Sequence, residues 1–300
     1  MGDESIVSIV EAPAALPPTS VTPRRQGTAH VPWLALTLLL PLLLFGTCGT
    51  LLTPHEPGAI NPAHALAPPV FLGGDWRYPL GTDNMGRDLL SRVIDGSSSS
   101  LLVALFGVAL AGLFGTAVGM CAGFFGGIID EILMRLVDIQ LAIPPILLAV
   151  LLAAVVGGGL TTVVATLTIT FWSTYARLVR GETVGLMHRD FVALAKVAGA
   201  SRSRIMLRHV LPNLFSTVLV LATLQLGAAV GLEAALSFLG LGIQPPHAAW
   251  GLMIADGRLY MSQAWWIPTV PGIAIVMTVL GANLLGDWVR DRLDPGLRQL

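Results

Sequence analysis

The sequence predicts an all-α membrane protein, a polytopic bundle of about six transmembrane helices. Hydrophobic residues make up 54% of the 300 residues and charged residues only 12%, and the mean hydropathy is +0.76. This composition is too apolar for a soluble domain of the same length. In addition, the chain contains six uncharged or nearly uncharged runs that are long enough to cross a hydrocarbon core. They lie near 33–53, 100–128, 136–157, 160–176, 212–235 and 266–286.

The distribution of basic residues predicts the orientation. Seven of the 17 Lys and Arg lie between Arg177 and Arg208, which places this segment in the cytoplasm by the positive-inside rule. Basic residues also precede the first run and follow the last one, so an even number of spans puts both termini in the cytoplasm of a multi-pass cell-membrane protein. These residues are Arg24 and Arg25, then Arg290, Arg292 and Arg298.

The same pattern divides the chain. Residues 1–31 are rich in Pro, Ala, Ser and Thr and are predicted to form a flexible cytoplasmic tail. Residues 32–300 form the transmembrane domain. It contains outside loops at 54–99 and 236–265 and a cytoplasmic loop at 177–211.

Small residues recur every four positions in the second run and form one stripe along a helix. Such a stripe lets a neighbouring backbone approach closely. Static helix packing is the favoured interpretation, and a sliding surface used during conformational change is the alternative. The residues are Gly107, Ala111, Gly115, Gly119, Gly123 and Gly127.

A charged cluster precedes this run in the outside loop. Asp88, Arg92 and Asp95 have helical spacing and predict a short surface helix with a solvated, ion-paired face. Asp83 and Arg87 precede them, and the four serines 97–100 are candidate caps for the next span. A membrane enzyme that uses Asp83, Asp88 and Asp95 as acid-base groups is a competing hypothesis.

Two acids are candidates for the translocation pathway. Asp138 lies at the inner boundary of the third run, before the kink predicted at Pro144 and Pro145. Pairing with Arg135 or with an arginine of the basic loop is the favoured alternative for Asp138. Glu233 is the only acid in the fifth run, and it either faces a water-filled pathway or ties down the following turn SFLGLG.

The cytoplasmic loop predicts two short helices at an angle. Asp190 is a candidate N-cap for a helix over 191–198, Gly199 suits a left-handed turn, and Ser201 is a candidate cap for the second helix. Pro212 is expected to open the fifth span. The first helix has one apolar face, which predicts either a helix on the membrane surface or a knob in a groove of a partner protein. That face consists of Phe191, Leu194, Ala195 and Ala198.

Other function classes lack support in the sequence. HExxH and GxSxG motifs are absent, and the single lysine, Lys196, is followed by Val197, so the chain has no P-loop. No catalytic residue, metal site or cofactor is therefore predicted within this chain. The near-neutral net charge of −1 argues against nucleic acid binding, and the lipid membrane is a predicted partner. Cys48 and Cys121 lie in apolar runs and predict buried packing.

The cytoplasmic loop resembles the coupling motif of ABC importer permeases, Glu-Ala-Ala, then three residues, Gly, nine residues and Ile-x-Leu-Pro. Ala195, Gly199, Leu211 and Pro212 keep this spacing. The sequence departs from the motif elsewhere: Ala193 replaces the Glu, and Leu194 and His209 replace an Ala and the Ile. The residues that the resemblance assigns to ATPase coupling are Asp190, Phe191, Leu194, Ala195, Lys196, Gly199, Ala200, Leu211 and Pro212.

Further segments resemble the C-type permease subunit of peptide and nickel importers. They are PLGTDNMGRDLLSR at 79–92, GFFGGIIDEILMRLVDIQLAIPP at 123–145, SFLGLGIQPPHAAWGLMI at 237–254 and PGIAIVMTVLGANLLGDWVRDRLDP at 271–295. Together with the loop they cover most of residues 33–295. Ser98 is a departure, because such proteins usually carry an arginine there.

This resemblance implies a type I ABC importer permease fold and a set of partners. The chain would form half of a translocation pathway with a homologous B-type permease. Two ABC ATPase subunits would bind ATP and Mg²⁺, and an extracytoplasmic substrate-binding protein would deliver the cargo. Peptides are the expected substrate, with glutathione and nickel as alternatives. A stand-alone secondary transporter and a scaffold without transport activity are the remaining hypotheses.

Overall fold

The computed structural model describes residues 32–293, except the side chain of Thr50; the predicted tail 1–31 and residues 294–300 lie outside the described residues. The described chain confirms the all-α prediction. Its helices are α1 (Trp33–Leu52), α2 (Leu89–Phe125), α3 (Gly127–Ala142), α4 (Pro145–Val156), α5 (Leu160–Met187), α6 (Asp190–Val197), α7 (Arg202–Ile205), α8 (Leu211–Phe238), α9 (Trp250–Gly257) and α10 (Trp266–Leu293).

Each predicted apolar run corresponds to one helix, except the third, which is divided between α3 and α4, and the runs differ in how well they suit a bilayer. Among the described residues, three helices are long and apolar enough to span a membrane: α2, the continuous segment Arg202–Phe238, and α10. The bent pair α3 and α4 raises this number to four, and α1 contributes the shorter apolar segment Trp33–Gly49. About six membrane helices therefore remains an approximate description.

α5 is more polar than the other long helices, and several of its hydroxyl groups donate to backbone carbonyl oxygens. Thr162, Thr166, Ser173 and Thr183 are buried. The Thr166 hydroxyl donates to the Thr162 carbonyl oxygen at 2.7 Å. A hydroxyl that is bonded to its own helix backbone can be buried at low cost.

The prediction of one kinked helix over residues 136–157 is wrong. α3 and α4 meet at an angle of 91°. Ile143 and Pro144 have extended backbones between them, because a residue that precedes proline is disfavoured in the helical region. Each of Ile143 and Pro144 precedes a proline, so the double proline breaks the helix and does not only kink it.

The small-residue stripe of α2 packs closely against a neighbouring helix, as predicted, and that helix is α5. A Cβ atom on Gly107 would lie 2.6 Å from Leu167 Cβ, and one on Gly119 would overlap the Ala176 carbonyl oxygen. The close approach of the two backbones thus depends on these glycines. Gly127 is not part of the stripe, because α2 ends at Phe125 and Gly127 begins α3 with a φ of +55°.

The outside loop continues directly into α2, so the predicted separate surface helix is wrong. Asp88 caps α2, and its Oδ2 accepts from the Ser91 backbone N–H at 3.1 Å and from the Ser91 hydroxyl at 2.6 Å. The serines 97–100 lie inside α2 and do not cap it. Deeper in the same region, the buried Trp250 indole donates to the Val93 carbonyl oxygen at 3.0 Å and joins α9 to α2.

Candidate functional site: the α6 surface

α6 is a short helix whose ends are defined by local backbone chemistry. Gly199 has a φ of +76°, so it ends the helix in the left-handed turn that the sequence predicts. The Ser201 hydroxyl accepts from the Arg204 backbone N–H at 3.4 Å and caps α7, also as predicted. The N-cap prediction is wrong: Arg189 precedes the helix without a side-chain cap, and Asp190 is the first helical residue. At that position the Asp190 carboxylate still interacts favourably with the positive end of the helix dipole.

The second helix of the loop is not short. α7 continues through a π-helical segment, Met206–Val210, into α8 without a break. Pro212 therefore lies within a continuous helix and does not open a new one. The proline ring lacks an N–H and collides with the carbonyl four residues earlier in a regular helix. The wider π turn, in which the Leu211 N–H bonds to the Met206 carbonyl oxygen, directly precedes this proline.

A hydrophobic cluster, here called the support cluster, fixes α6 to the bundle. Val192 is fully buried in it, and Ala195 and Ala200 pack against it. Residues of α2, α5, α7, the π segment and α8 complete it, so α6 is anchored on a cluster that five other segments share. The buried members of the support cluster are Met120, Val179, Val192, Ile205, Val210 and Leu214.

The opposite face of α6 exposes large apolar side chains. Phe191 is 37% exposed, Leu194 68% and Val197 87%. The predicted apolar face therefore splits: Phe191, Leu194 and Ala198 point away from the protein, whereas Ala195 turns towards the support cluster. An exposed apolar patch on a short helix that is fixed to the bundle is typical of a protein interaction site.

Exposed basic side chains lie on α6 and on the segments directly before and after it. Arg189, Lys196, Arg202, Arg204 and Arg208 are all exposed. Of the other residues assigned to coupling, Leu211 is exposed at the start of α8 and Ala200 is half-buried. The patch formed by Phe191, Leu194 and Val197 is called the α6 surface below. The coupling role of these residues stays a prediction.

The residues proposed for the pathway are held by partners within the protein. Asp138 on α3 accepts a hydrogen bond from Arg177 on α5 at 2.5 Å, and both side chains are more than half exposed. Next to it, Asp130 forms a two-bond ion pair with Arg180, at 2.9 Å and 2.6 Å. Both pairs join α3 to α5. The favoured alternative for Asp138 is thus confirmed: its partner is Arg177, the first arginine of the predicted 177–211 segment, which lies in α5.

Glu233 is buried in α8. Its Oε1 atom accepts from the Ser237 hydroxyl at 2.7 Å, and the Ser237 hydroxyl oxygen accepts from the Ile243 backbone N–H at 3.4 Å. This chain of hydrogen bonds ties the turn after α8 to the helix, which corresponds to the second interpretation of Glu233. The role of Asp138 and Glu233 in the pathway stays a prediction.

The far end of the bundle carries a buried ion network. Asp83 accepts from Arg87 at 2.6 Å and lies 3.6 Å from Arg92, and Arg87 lies 3.8 Å from Asp256 on α9. Asp83 and Arg92 are buried, so the predicted solvated ion-paired face is wrong. Burial raises the pKa of Asp256, and the positive charges of Arg92 and Arg87 lower it only in part. The sequence missed this network because α9 closes over the loop from a distant part of the chain.

Comparison with known proteins places these features in a family. Residues 115–299 match the family model of binding-protein-dependent transport system inner membrane components. The chain belongs to this family. It is 42% identical to the di/tripeptide transport system permease protein DppC of Pseudomonas aeruginosa over 268 residues, which is 88% of each chain. It is 40% identical to the probable D,D-dipeptide transport system permease protein DdpC of Escherichia coli, over 87% of this chain and 85% of that protein.

Two further comparisons extend this result. The glutathione transport system permease protein GsiD of Pectobacterium atrosepticum is 41% identical over 73% of each chain. A solved structure of the MetNI methionine ABC transporter in an inward-facing conformation aligns with a TM-score of 0.51. That alignment covers 69% of this chain and 96% of the other at 21% identity, so it supports the fold alone. The predicted type I importer permease fold is confirmed.

Family membership resolves several of the hypotheses. The resemblance to C-type ABC importer permeases is confirmed, and the protein is a multi-pass component of the cell membrane. It is a transport subunit, and ATP hydrolysis belongs to its ATPase partners, so the membrane-enzyme hypothesis is wrong. The stand-alone transporter and scaffold hypotheses are wrong for the same reason.

Proposed function

We propose that this chain is the C-type permease subunit of an ATP-driven importer of short peptides, with α6 and both termini in the cytoplasm. The exposed α6 surface is the observation that carries the proposal. It offers apolar side chains to a partner while the support cluster holds the helix in a fixed position. An amphipathic helix in a hydrophobic groove is a recurring mode of protein recognition.

The proposed partner at this surface is one of two ABC ATPase subunits, which would bind ATP and Mg²⁺. The exposed arginines and Lys196 around the α6 surface favour a groove with acidic groups at its rim. A homologous B-type permease would supply the other half of the pathway, and an extracytoplasmic binding protein would deliver the peptide at the opposite end. The resemblance to C-type importer permeases and the family membership support this set of partners.

The proposed mechanism is a two-state movement driven by the ATPases. Closure of the ATPase dimer would move α6, and the support cluster would pass this movement to α2, α5 and α8. The bundle would then change between an inward-facing and an outward-facing arrangement. Peptide affinity must differ between these arrangements for ATP hydrolysis to drive uptake.

Di- and tripeptides are the proposed substrates because the relatives named for such transport are 40% to 42% identical over most of their length. Glutathione is the second candidate, since a glutathione permease is 41% identical over a shorter region. Glutathione is itself a tripeptide, so one polar pathway is compatible with both cargoes.

Uptake of labelled peptides tests the proposal. Cells with the complete importer are compared with cells that lack this chain and with cells in which the partner ATPase is inactivated by mutation. We expect loss of di- and tripeptide uptake in both altered strains. Uptake that survives ATPase inactivation would contradict the ATP-driven mechanism. Unchanged peptide uptake in both strains would contradict a peptide substrate, and glutathione and nickel are then tested in the same strains.

A further inference from the structure

A cavity of about 480 Å³ lies at the end of the bundle that the proposed orientation places outside the cell. The carboxyl end of α8, α9 with the following turn Arg258–Tyr260, and the loop residues Asn84 and Met85 form its wall. This volume falls within the range of small-molecule sites. Four residues with polar or charged side chains other than the buried Ser237 line it: Asn84, Asp256, Arg258 and Tyr260.

Arg258 presents a guanidinium group in this wall. Its Cζ atom lies 5.4 Å from the centre of the Phe238 ring, which also lines the cavity. Stacking on an aromatic ring orients a guanidinium group and leaves the N–H donors in its plane available for a carboxylate. None of the ion pairs formed within residues 32–293 includes Arg258, whereas Arg87 and Arg92 both pair with Asp83.

Asp256 presents the opposite charge in the same wall. Its side chain is 41% exposed, and its one ion-pair neighbour within the described residues, Arg87, is 3.8 Å away and binds Asp83 more closely at 2.6 Å. Because burial raises the pKa of Asp256, a bound cation would stabilise its charged form. The cavity therefore offers a partner for an anion and a partner for a cation.

We propose that this cavity binds a short peptide in its zwitterionic form, with the peptide carboxylate on Arg258 and the peptide ammonium group on Asp256. The proposal rests on the proposed peptide importer. Asp256 and Arg258 both line this one cavity, and the termini of an extended di- or tripeptide are separated by at most roughly 7–11 Å. The Asn84 amide and the Tyr260 hydroxyl, which lie 3.5 Å from each other, offer further hydrogen bonds to the carboxylate.

Such a cavity would act as a receiving site on the permease. A peptide released by a binding protein would meet matched charges before it enters the bundle. The buried network of Asp83, Arg87 and Arg92 lies behind this wall and holds the loop against α2 and α9. The wall is thus fixed before the peptide arrives, which lowers the entropy cost of binding.

Saturation-transfer NMR tests this assignment without interference from a binding protein. The complete membrane complex, with its permease and ATPase subunits but without the binding protein, is placed in nanodiscs and mixed with alanylphenylalanine or its carboxamide. We expect saturation transfer to the free dipeptide and at least about tenfold weaker binding of the carboxamide, because a charge-assisted hydrogen bond is lost. Arg258→Gln should weaken binding of the free dipeptide by a similar factor. Asp256→Asn should also weaken binding of the free dipeptide, but not binding of the N-acetylated dipeptide, which has no ammonium group.

Arg77→Gln is the matched control, because Arg77 is exposed on the same loop, stacks on Tyr78 and lies outside the cavity. Thermal unfolding of each complex separates loss of binding from loss of fold. Equal binding by wild type and Arg258→Gln, or equal binding of the dipeptide and its carboxamide, would overturn the assignment. Uptake by the wild-type importer is measured in parallel. If the importer takes up peptide but the complex shows no peptide binding by NMR, only the cavity assignment is refuted. If the importer takes up no peptide, the proposed function is refuted.

Discussion

Truncation of Leu194 is expected to weaken ATPase binding without unfolding the permease. Leu194 is 68% exposed on the α6 surface, so about two thirds of its side chain is available to a partner. Complete burial of a leucine side chain contributes roughly 1.5–3 kcal/mol, so the available part corresponds to about 1–2 kcal/mol. Leu194→Ala should therefore raise the dissociation constant for the ATPase pair by about 5- to 30-fold.

The assay measures binding of the purified ATPase pair to the permease heterodimer in nanodiscs, together with the thermal unfolding midpoint of the permease. Val192→Ala provides the matched comparison, since Val192 lies on the same helix but is fully buried in the support cluster. It should lower the unfolding midpoint, because loss of buried methyl groups destabilises a core. Leu194→Ala should leave the midpoint nearly unchanged.

Two results would refute this reasoning. If Leu194→Ala binds the ATPases as tightly as wild type, the α6 surface is not the docking site. If Leu194→Ala lowers the unfolding midpoint as much as Val192→Ala, Leu194 supports the fold of this chain and its exposure does not indicate docking.

Three further substitutions address packing and coupling. Gly119→Ala should destabilise the permease by about 1–3 kcal/mol, because the new Cβ meets the α5 backbone. Gly112→Ala is the control and should be nearly neutral, because its Cβ would face the edge of a tyrosine ring at 3.4 Å. Equal unfolding midpoints for the two variants would contradict the packing argument. Gly199→Ala should lower uptake per ATP hydrolysed, because a side chain at a φ of +76° is strained and the strain shifts α6. An unchanged ratio of uptake to ATP hydrolysis would contradict the proposed transmission of movement through α6. Ala193→Glu introduces, at an exposed position, the Glu of the coupling motif that the loop resembles. It should tighten ATPase binding by a few-fold if the groove offers a donor, and a binding assay that detects no change would show that α6 docks without this anchor.

The sequence predicted the elements that depend on short-range chemistry. Gly199 ends α6 and Ser201 caps α7 because both effects arise from one or two residues. The small-residue stripe of α2 predicted close helix packing for the same reason, since a four-residue period places Gly115 and Gly119 on one face. In each of these three cases a few nearby residues are sufficient to predict the local structure.

The errors have a common origin in contacts between distant segments. Helical spacing of Asp88 and Arg92 predicted a surface helix, but the spacing could not show that Trp250 and Asp256 would cover this region from more than 150 residues away. The candidate peptide cavity was missed for the same reason, because Arg258 acquires its orientation only from Phe238 on another helix. At α6, the apolar pattern was visible, but only packing decides that Ala195 turns inward.

The close contact between α2 and α5 bears on how a movement of α6 would reach the bundle. The carbonyl oxygen of Ala176 lies directly against Gly119, and the neighbouring residues Met120 and Val179 belong to the support cluster beneath α6. No side chain separates the two backbones at this level, so the helices are in direct backbone contact and we expect them to move together. A force on α6 should therefore move α2 and α5 together. This arrangement favours rotation of the bundle as a rigid body over local bending of the loop, and it makes the α6 surface an efficient point for an ATPase to act.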